Sequence, residues 1–214
     1  MNTSVAFPAQ PIKLHGFHLS GHSHRVALFL ALLKLPYVLV DVDLPAGAHK
    51  QPAFLALNAF GEVPVIEDGD VTLADSNAIL VYLASQYDSG QWLPRDPVGA
   101  AAVQRWLSVA AGALAFGPAT ARLAVLFKAP VDADAAIARA RNLFAVMDAE
   151  LKTKPFLTGN TPTIADIANY TYIALAPEGN VSLDPYPQLR GWLQRIEALP
   201  DFVPMVKSAV GLAA

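Results

Sequence analysis

The feature that most restricts the fold of this chain is the stretch from Asn58 to Ser76, N-A-F-G-E-V-P-V-I-E-D-G-D-V-T-L-A-D-S. The apolar run V-P-V-I predicts a strand, and the D-G pair after it predicts a hairpin turn into a second strand, V-T-L. Asp75 and Ser76 are typical helix caps and stand before a further apolar run. The stretch therefore predicts a loop, a β-hairpin and the start of a helix.

The position of Pro64 points to a binding role for this hairpin. Proline cannot donate to a sheet, so it is unusual just before a strand. A cis bond between Val63 and Pro64 would turn the backbone polar groups of Val63 outward, where they can hold an extended peptide. Asp75 and Ser76 bring together a carboxylate, a hydroxyl and free helix N–H groups, which suit an ammonium and a carboxylate. The alternative is an edge-strand proline and an ordinary N-cap. Together the two features indicate a site for a short zwitterionic peptide.

The motif G-E-V-P-V-I followed by D-S-x-A-I-x-x-Y-L resembles the glutathione-binding half of the glutathione transferase family. The resemblance implies that Pro64 is cis and that Val63 pairs with the backbone of the glutathione cysteine. It also implies that Asp75 and Ser76 hold the γ-glutamyl end. Elements of the family follow in order over nearly the whole chain, so glutathione is the expected co-substrate.

The order of predicted elements gives the fold class. A strand, a helix and a second strand between Ile12 and Leu44 predict a parallel pair with a right-handed crossover. Together with the hairpin, this order resembles the thioredoxin-like fold. No strand pattern of comparable strength follows residue 97. We expect an α/β thioredoxin-like N-terminal domain over residues 1–87, with 1–11 as a loose extension, a linker over 88–97, and an all-α helical-bundle C-terminal domain over 98–214.

The helices expected after the hairpin are defined by apolar patterns and caps. Thr163 and Asp166 resemble a capping box, with Asp in place of the usual Glu. The family resemblance implies a buried Ser/Thr-x-x-Asp at this place, so Asp166 is interpreted as structural rather than catalytic. The long apolar helix is expected to kink near Gly117-Pro118 and to line both the active cleft and a dimer interface. The predicted helices cover 76–87, 98–126, 132–151, 163–175, 187–199 and 201–208.

The loop before the first helix carries the candidate catalytic residue. The sequence L-S-G-H-S-H-R-V resembles the loop of serine-type glutathione transferases, in which a serine at the position of Ser20 contacts the glutathione sulfur. A hydroxyl that donates to sulfur stabilises thiolate over thiol, and the positive end of the following helix adds to this effect. Ser20 is thus a hydrogen-bond donor, with Ser23 as the rival. The alternative is a turn serine that only caps the helix.

Three residues near the hairpin are candidates for an interaction with the glycine end of glutathione. His49 and Lys50 resemble a His-Lys pair of some plant and bacterial members, in which both residues contact that end; a solvated loop pair is the alternative. Glu62 departs from the glutamine of many members, and Ala59 departs from the usual proline. A carboxylate at Glu62 would weaken binding if it faced the glycine carboxylate, or would bind a cationic group of the second substrate.

The histidines of the first loop form the pattern H-x-x-x-H-x-H, which only superficially suggests metal. The turn and helix start do not bring the three rings to one face, so we expect no metal. The second substrate is expected between this loop and the long helix, although each candidate residue also suits a hydrophobic core. The candidates are Phe17, His18, His22, Trp106 and Phe116.

Composition narrows the remaining possibilities. The chain has no cysteine, which excludes a protein thiol nucleophile and zinc–thiolate sites. A formal net charge of −3 gives no indication of a nucleic-acid surface or a polybasic membrane anchor. Only 15% of residues are charged, which favours burial of apolar surface in an oligomer, and with the family resemblance we expect a homodimer. With no signal-peptide pattern and no uncharged stretch of membrane length, we expect a cytoplasmic protein.

These observations predict a glutathione transferase with a detoxification role. The expected reaction joins the glutathione thiolate to a small hydrophobic electrophile. One alternative is a glutathione-dependent disulfide reductase or peroxidase that works without a protein cysteine. Another is a non-enzymatic binding module of the same family.

Overall fold

The computed structural model describes residues 7–214, so the predicted loose extension lies outside the described residues as far as residue 6. The chain forms two compact units. The first unit contains the described residues up to Leu93 together with Pro200–Pro204, and the second contains Pro94–Leu199 and Met205–Ala214.

The first unit is built on a four-stranded sheet of order β2-β1-β3-β4. Strands β1 and β2 are parallel and are joined by helix α1, whereas β3 runs antiparallel to β1 and to β4. This arrangement confirms the predicted thioredoxin-like fold. The elements are β1 (Ile12–Gly16), α1 (Gly21–Leu32), β2 (Tyr37–Asp41), α2 (Pro52–Leu55), β3 (Val65–Asp68), β4 (Val71–Ala74) and α3 (Ser76–Tyr87).

The sheet of the first unit follows from the alternation of its strands. In β1, Ile12 and Leu14 are fully buried while Lys13 between them is exposed, which is the pattern of a half-covered strand. Near the opposite face, Phe54 of α2 packs in one cluster with Val42 and Val65. The strands thus hold the loop before β3 and the end of β4 in fixed positions.

The central prediction of the sequence is confirmed at the hairpin. The Val63–Pro64 bond is cis, and β3 pairs with β4 around a turn at Gly69 and Asp70. Helix α3 begins at Ser76 with Asp75 as its N-cap. The φ angle of Asp75 is +72°, a conformation that side-chain-bearing residues rarely adopt and that is found mostly where the surroundings require it.

The described residues of the second unit form helices and short turns, as predicted. Its long apolar helix is broken at Gly117, whose φ and ψ of −104° and −105° confirm the predicted kink. A Cβ at Gly117 would lie 3.0 Å from the backbone nitrogen of Ala140, so glycine permits the close approach of the neighbouring helix. The elements are α4 (Pro97–Val109), a π-helical segment (Ala110–Ala119), α5 (Thr120–Leu126), α6 (Ala133–Glu150), α7 (Ile164–Ala174) and α8 (Pro187–Glu197).

By length and composition alone, the run Pro97–Leu126 is apolar enough to cross a membrane, although its uncharged part between Arg105 and Arg122 is shorter than a membrane span. In the second unit, however, Arg122 of this run forms a buried ion pair with Glu178. A charge pair of this kind is typical of a helix packed inside a protein core.

The predicted capping box at the start of α7 is present. Thr163 caps the helix, and Asp166 accepts a hydrogen bond from the Thr163 backbone N–H at 2.9 Å. Asp166 is fully buried and also accepts from Trp192 Nε1 at 2.8 Å and from the N–H of Leu157 at 2.9 Å. Its carboxylate therefore ties two helices and a loop together, as expected of a structural residue.

The helix predicted over 201–208 is wrong. Asp201 has a φ of +64°, and Val203 precedes a proline, a position that disfavours helical backbone. The carbonyl of Val203 instead accepts a hydrogen bond from His24 Nε2 at 2.8 Å. Strand β2 also ends at Asp41, three residues before the predicted Leu44.

Candidate functional site

A cavity of about 410 Å³ lies in the first unit, where the loop before β3 meets the end of β4 and the start of α3. Its size is within the range of small-molecule sites. Six of the residues selected from the sequence line it, so the structure brings together positions that are as much as 54 residues apart in the chain. The lining consists of His22, Asn58, Phe60, Glu62, Val63, Pro64, Ala74, Asp75 and Ser76.

The start of α3 differs in one respect from the prediction of free helix N–H groups. Asp75 Oδ1 accepts from the N–H of both Asn77 and Ala78, each at 2.9 Å. These two donors are therefore used by the cap and are not free for a ligand anion. The Ser76 hydroxyl remains as a polar group of the cavity, and the exposed Asp75 carboxylate retains capacity to accept from an ammonium.

Behind Ser76 lies a polar cluster formed by Arg25 and His22. Arg25 is 1% exposed, and its Nη1 donates to Ser76 Oγ at 2.7 Å and to Asn77 Oδ1 at 2.9 Å. His22 Nδ1 lies 3.2 Å from Ser76 Oγ. Burial, and secondarily the positive charge of Arg25, lowers the pKa of His22 to about 3. His22 is therefore neutral near pH 7 and can either donate or accept at Nδ1.

The loop that leads into Val63 is held by side chains. Asn58 Nδ2 donates to Glu62 O at 2.8 Å, and Asn58 Oδ1 accepts from the N–H of Phe60 at 3.1 Å. Gly61 has a φ of +61°, and a Cβ there would lie 2.7 Å from the carbonyl oxygen of His49, so the loop requires glycine. These contacts fix the path of the backbone on one side of the cavity.

The His49-Lys50 pair lies beside this loop rather than in the lining of the cavity. Lys50 Nζ donates to the carbonyls of Phe60 and Gly61 at 3.1 and 2.9 Å. An ammonium has three N–H donors, so one remains for another acceptor. The Nδ1 atom of His49 is buried without a hydrogen-bond partner among the described residues.

Ser20 caps the first helix, and Ser23 stabilises the turn before it. Ser20 is half-buried, and its Oγ accepts the N–H of Ser23 at 3.2 Å, which leaves its own proton to donate elsewhere. Ser23 is buried, and its Oγ accepts the N–H of Phe17 at 3.2 Å. Of the two hydroxyls, that of Ser20 is the more accessible.

The three histidines of the first loop turn to different partners. His22 contacts Ser76, His24 contacts Val203, and the exposed His18 stacks on Phe17 with ring centroids 4.6 Å apart. Burial lowers the pKa of His24. No group of three metal-ligating side chains occurs within residues 7–214. That the protein requires no metal for its function stays a prediction.

Two residues proposed for the second-substrate pocket belong to the second unit. Trp106 is buried in that unit and donates to the carbonyl of Leu157 at 3.1 Å. Phe116 lies in the π-helical segment and is 59% exposed. Assembly of these residues with Phe17 and His18 into one pocket stays a prediction.

Sequence reasoning missed four residues that build the site. Asn58, Phe60 and Ala74 line the cavity, and Arg25 supports Ser76 from outside the lining. One signal was available for Arg25, because it stands alone as a cation in a helix predicted to be largely buried. A buried arginine requires polar partners, and Ser76 and Asn77 are the two that accept from its Nη1.

The fold and the site together define a protein with a thioredoxin-like unit that carries a small-molecule cavity, and a helical unit. The family model described as Glutathione S-transferase, N-terminal domain, matches residues 19–86, and that described as Glutathione S-transferase, C-terminal domain, matches residues 113–200. The chain belongs to the glutathione S-transferase family.

Individual relatives agree with this membership. Glutathione S-transferase 3 of Zea mays is 37% identical over 206 residues, which cover 90% of this chain and 91% of the relative. The crystal structure of a glutathione S-transferase from Pseudomonas fluorescens has a TM-score of 0.87 and 34% identity, covering 92% of this chain and all of that one. A glutathione transferase homologue from a Drosophila species, solved with bound glutathione, has a TM-score of 0.81 and 31% identity, with 89% of each chain covered.

Proposed function

We propose that this glutathione transferase activates the glutathione thiol through Ser20 and conjugates the thiolate to a small hydrophobic electrophile. The observation that carries the proposal is the placement of Ser20. It caps α1 with its oxygen, keeps its proton for donation, and stands two residues before His22, which lines the cavity.

The cavity offers partners for the two charged groups at the γ-glutamyl end of glutathione. The Ser76 hydroxyl suits the α-carboxylate of the γ-glutamyl residue, and the exposed Asp75 carboxylate suits its ammonium. Val63 is assigned to the backbone of the cysteine, as the family resemblance implies. The remaining donor of Lys50, together with His49, is assigned to the glycine carboxylate.

Ser20 would act by shifting the pKa of the bound thiol. A free thiol has a pKa of about 8.5, so little thiolate is present at neutral pH. A charge-assisted hydrogen bond of about 1.5–3 kcal/mol lowers that pKa by roughly one to two units. The positive end of α1 favours the thiolate in the same direction.

The bond changes are those of nucleophilic substitution or addition. The sulfur electron pair forms a bond to an electrophilic carbon while halide leaves with the electrons of the broken bond. With an activated alkene, sulfur adds to one carbon and a proton from water completes the other. Ser20 keeps its proton throughout and only orients and stabilises the sulfur.

The test is a pH titration of the thiolate absorbance of bound glutathione. We expect Ser20→Ala to raise the pKa of the bound thiol by about one to two units and to lower kcat/KM with a chloronitrobenzene about 10- to 100-fold. Ser20→Thr keeps the hydroxyl and should restore most of both effects. An unchanged thiol pKa in Ser20→Ala would remove Ser20 from the mechanism, and Ser23→Ala then tests the rival hydroxyl.

The same assays separate transferase activity from the alternatives. Relatives named as transferases favour conjugation over disulfide reduction. Turnover of a model disulfide in preference to the chloronitrobenzene would reverse that choice. Calorimetry that detects no glutathione binding would favour a non-enzymatic module.

We further propose a cytoplasmic homodimer with a role in detoxification. The support for the homodimer is the small charged fraction of 15% and the large apolar side chains exposed on the second unit, among them Leu123, Phe127 and Val146. Sedimentation at micromolar concentration tests the dimer. A monomer at that concentration would contradict the proposal.

A further inference from the structure

Arg25 puts a full positive charge behind the cavity without lining it. It is 1% exposed and donates from Nη1 to Ser76 Oγ and to Asn77 Oδ1, the side chains of the first two residues of α3. A guanidinium only donates hydrogen bonds. Ser76 is therefore an acceptor toward Arg25, and its own proton has to point elsewhere.

His22 determines where that proton goes. A hydroxyl has one proton and two lone pairs, and Arg25 occupies one lone pair of Ser76 Oγ. If His22 carries its hydrogen on Nδ1, it donates to the second lone pair, and Ser76 is left to donate into the cavity. If the hydrogen is on Nε2, Ser76 donates to His22 instead, and a ligand carboxylate receives no hydrogen bond from the Ser76 hydroxyl.

The Ser76 proton is important for ligand binding because two backbone donors at this end of α3 are already used. Asp75 Oδ1 already takes the N–H groups of Asn77 and Ala78. A ligand anion at this end of the cavity therefore depends on Ser76. Burial, and secondarily the charge of Arg25, lowers the pKa of His22, so the ring remains neutral and able to donate from Nδ1.

We propose that Arg25 is a positioning residue for glutathione, which fixes Ser76 as a hydrogen-bond donor to the γ-glutamyl carboxylate with His22 in its Nδ1–H form. The inference rests on the proposed function, in which glutathione occupies this cavity. Arg25 does not touch the ligand and acts through Ser76.

The first test is a double-mutant cycle on glutathione affinity measured by calorimetry. We expect Arg25→Lys and Ser76→Ala each to weaken binding about tenfold, and the double variant to bind about as weakly as Ser76→Ala alone. The loss in Arg25→Lys should appear in KM for glutathione rather than in kcat. Multiplicative losses in the double variant would overturn the inference. Arg105→Lys, at an exposed arginine of the second unit, serves as the matched control.

The second test uses a ligand without the carboxylate in question. In 4-aminobutanoyl-cysteinyl-glycine the α-carboxylate of the γ-glutamyl residue is absent. Arg25→Lys should bind this analogue as well as the wild type does. An equal loss for glutathione and the analogue would show that Arg25 only supports packing, and would overturn the inference.

The third test requires no substitution, and so decides the question even if Arg25→Lys does not fold. Nitrogen-15 NMR of the His22 ring in the glutathione complex should show the hydrogen on Nδ1. A hydrogen on Nε2 in the complex would overturn the inference while leaving the proposed function intact. Failure of the wild type to bind glutathione would overturn both.

Discussion

Within residues 7–214, each of the two units buries one arginine, and the two arginines donate to different kinds of acceptor. Arg122 in the second unit is 2% exposed and pairs with the carboxylate of Glu178 at 2.6 Å. Glu178 also accepts the backbone N–H of Ser208 at 2.8 Å, which holds the C-terminal segment. Arg25 in the first unit donates to a hydroxyl and an amide oxygen at the start of α3.

This difference shows that burial and residue type do not define the role of a charge. Moving a charge out of water costs several kcal/mol, so every buried arginine requires compensation. Arg122 obtains it from a carboxylate that also secures the chain, which is a structural arrangement. Arg25 is connected instead to Ser76 of the cavity lining, which is the basis of the role in ligand binding proposed above.

The largest effect is expected from breaking the pair in the second unit. Arg122→Met leaves the Glu178 carboxylate buried without its cation, which should lower the free energy of unfolding by about 3–5 kcal/mol. Urea denaturation measures this change. The double variant Arg122→Met with Glu178→Gln should recover part of the loss, and glutathione affinity of the folded protein should not change. A loss below about 1 kcal/mol would mean that the pair is not structural.

The buried histidines of the first unit predict acid sensitivity. The folded-state pKa values of His22 and His24 lie below the unfolded value of about 6.5, so the unfolded state binds more protons. Stability should therefore fall as the pH drops below about 6.5, toward about 3 for His22. Each histidine contributes a slope of up to about 1.4 kcal/mol per pH unit. Urea denaturation from pH 7 to 4 tests this, and His24→Gln should reduce the slope. Equal slopes would contradict the prediction.

Two aspartate caps sharpen the comparison between the units. Asp75 caps α3 beside the cavity, and Asp132 caps α6 in the second unit. Asparagine caps helices about as well as aspartate, so Asp75→Asn and Asp132→Asn should both keep the fold. Only Asp75→Asn should weaken glutathione binding, by about tenfold, because the ligand ammonium loses its carboxylate. Calorimetry measures both affinities; an equal loss in the two variants would contradict the assignment of Asp75.

The smallest effect is expected at Glu62. This exposed carboxylate lines the cavity and adds negative charge where glutathione, itself net negative, would bind. Glu62→Gln should raise glutathione affinity about two- to fivefold at low salt, and the gain should shrink as salt screens the repulsion. Asp70→Asn in the β3–β4 turn is the control. Weaker binding by Glu62→Gln would instead indicate that Glu62 contacts a cationic group of the ligand.

Local chemistry made some elements predictable. The start of α3 and the capping box at Thr163 were placed correctly, because caps depend on residues within one helical turn. The helix over 201–208 was wrong because Val203 is held by His24, 179 residues away in the chain. Contacts at such separations leave no periodic pattern in a sequence.

The sequence predicted most of the residues that line the cavity, but it did not predict the residue that supports them from outside the lining. The motif around Pro64 indicated five lining residues, and the loop of His22 supplied a sixth. The hydrogen bond from Arg25 to Ser76 joins residues 51 positions apart, so sequence reasoning did not find it. Free N–H groups were expected at the start of α3, but the sequence does not show that one oxygen of Asp75 takes those of both Asn77 and Ala78.

The return of Pro200–Pro204 to the first unit has a practical consequence for anyone who dissects this protein. A fragment cut after Leu93 would lack Val203, the acceptor for His24, and Asp201, whose carboxylate lies 3.1 Å from Lys34 Nζ. A chimera that exchanges only the N-terminal residues with those of a relative would therefore separate helix α1 from its partners at residues 200–204. Such chimeras should transfer Pro200–Pro204 together with the N-terminal segment of the first unit.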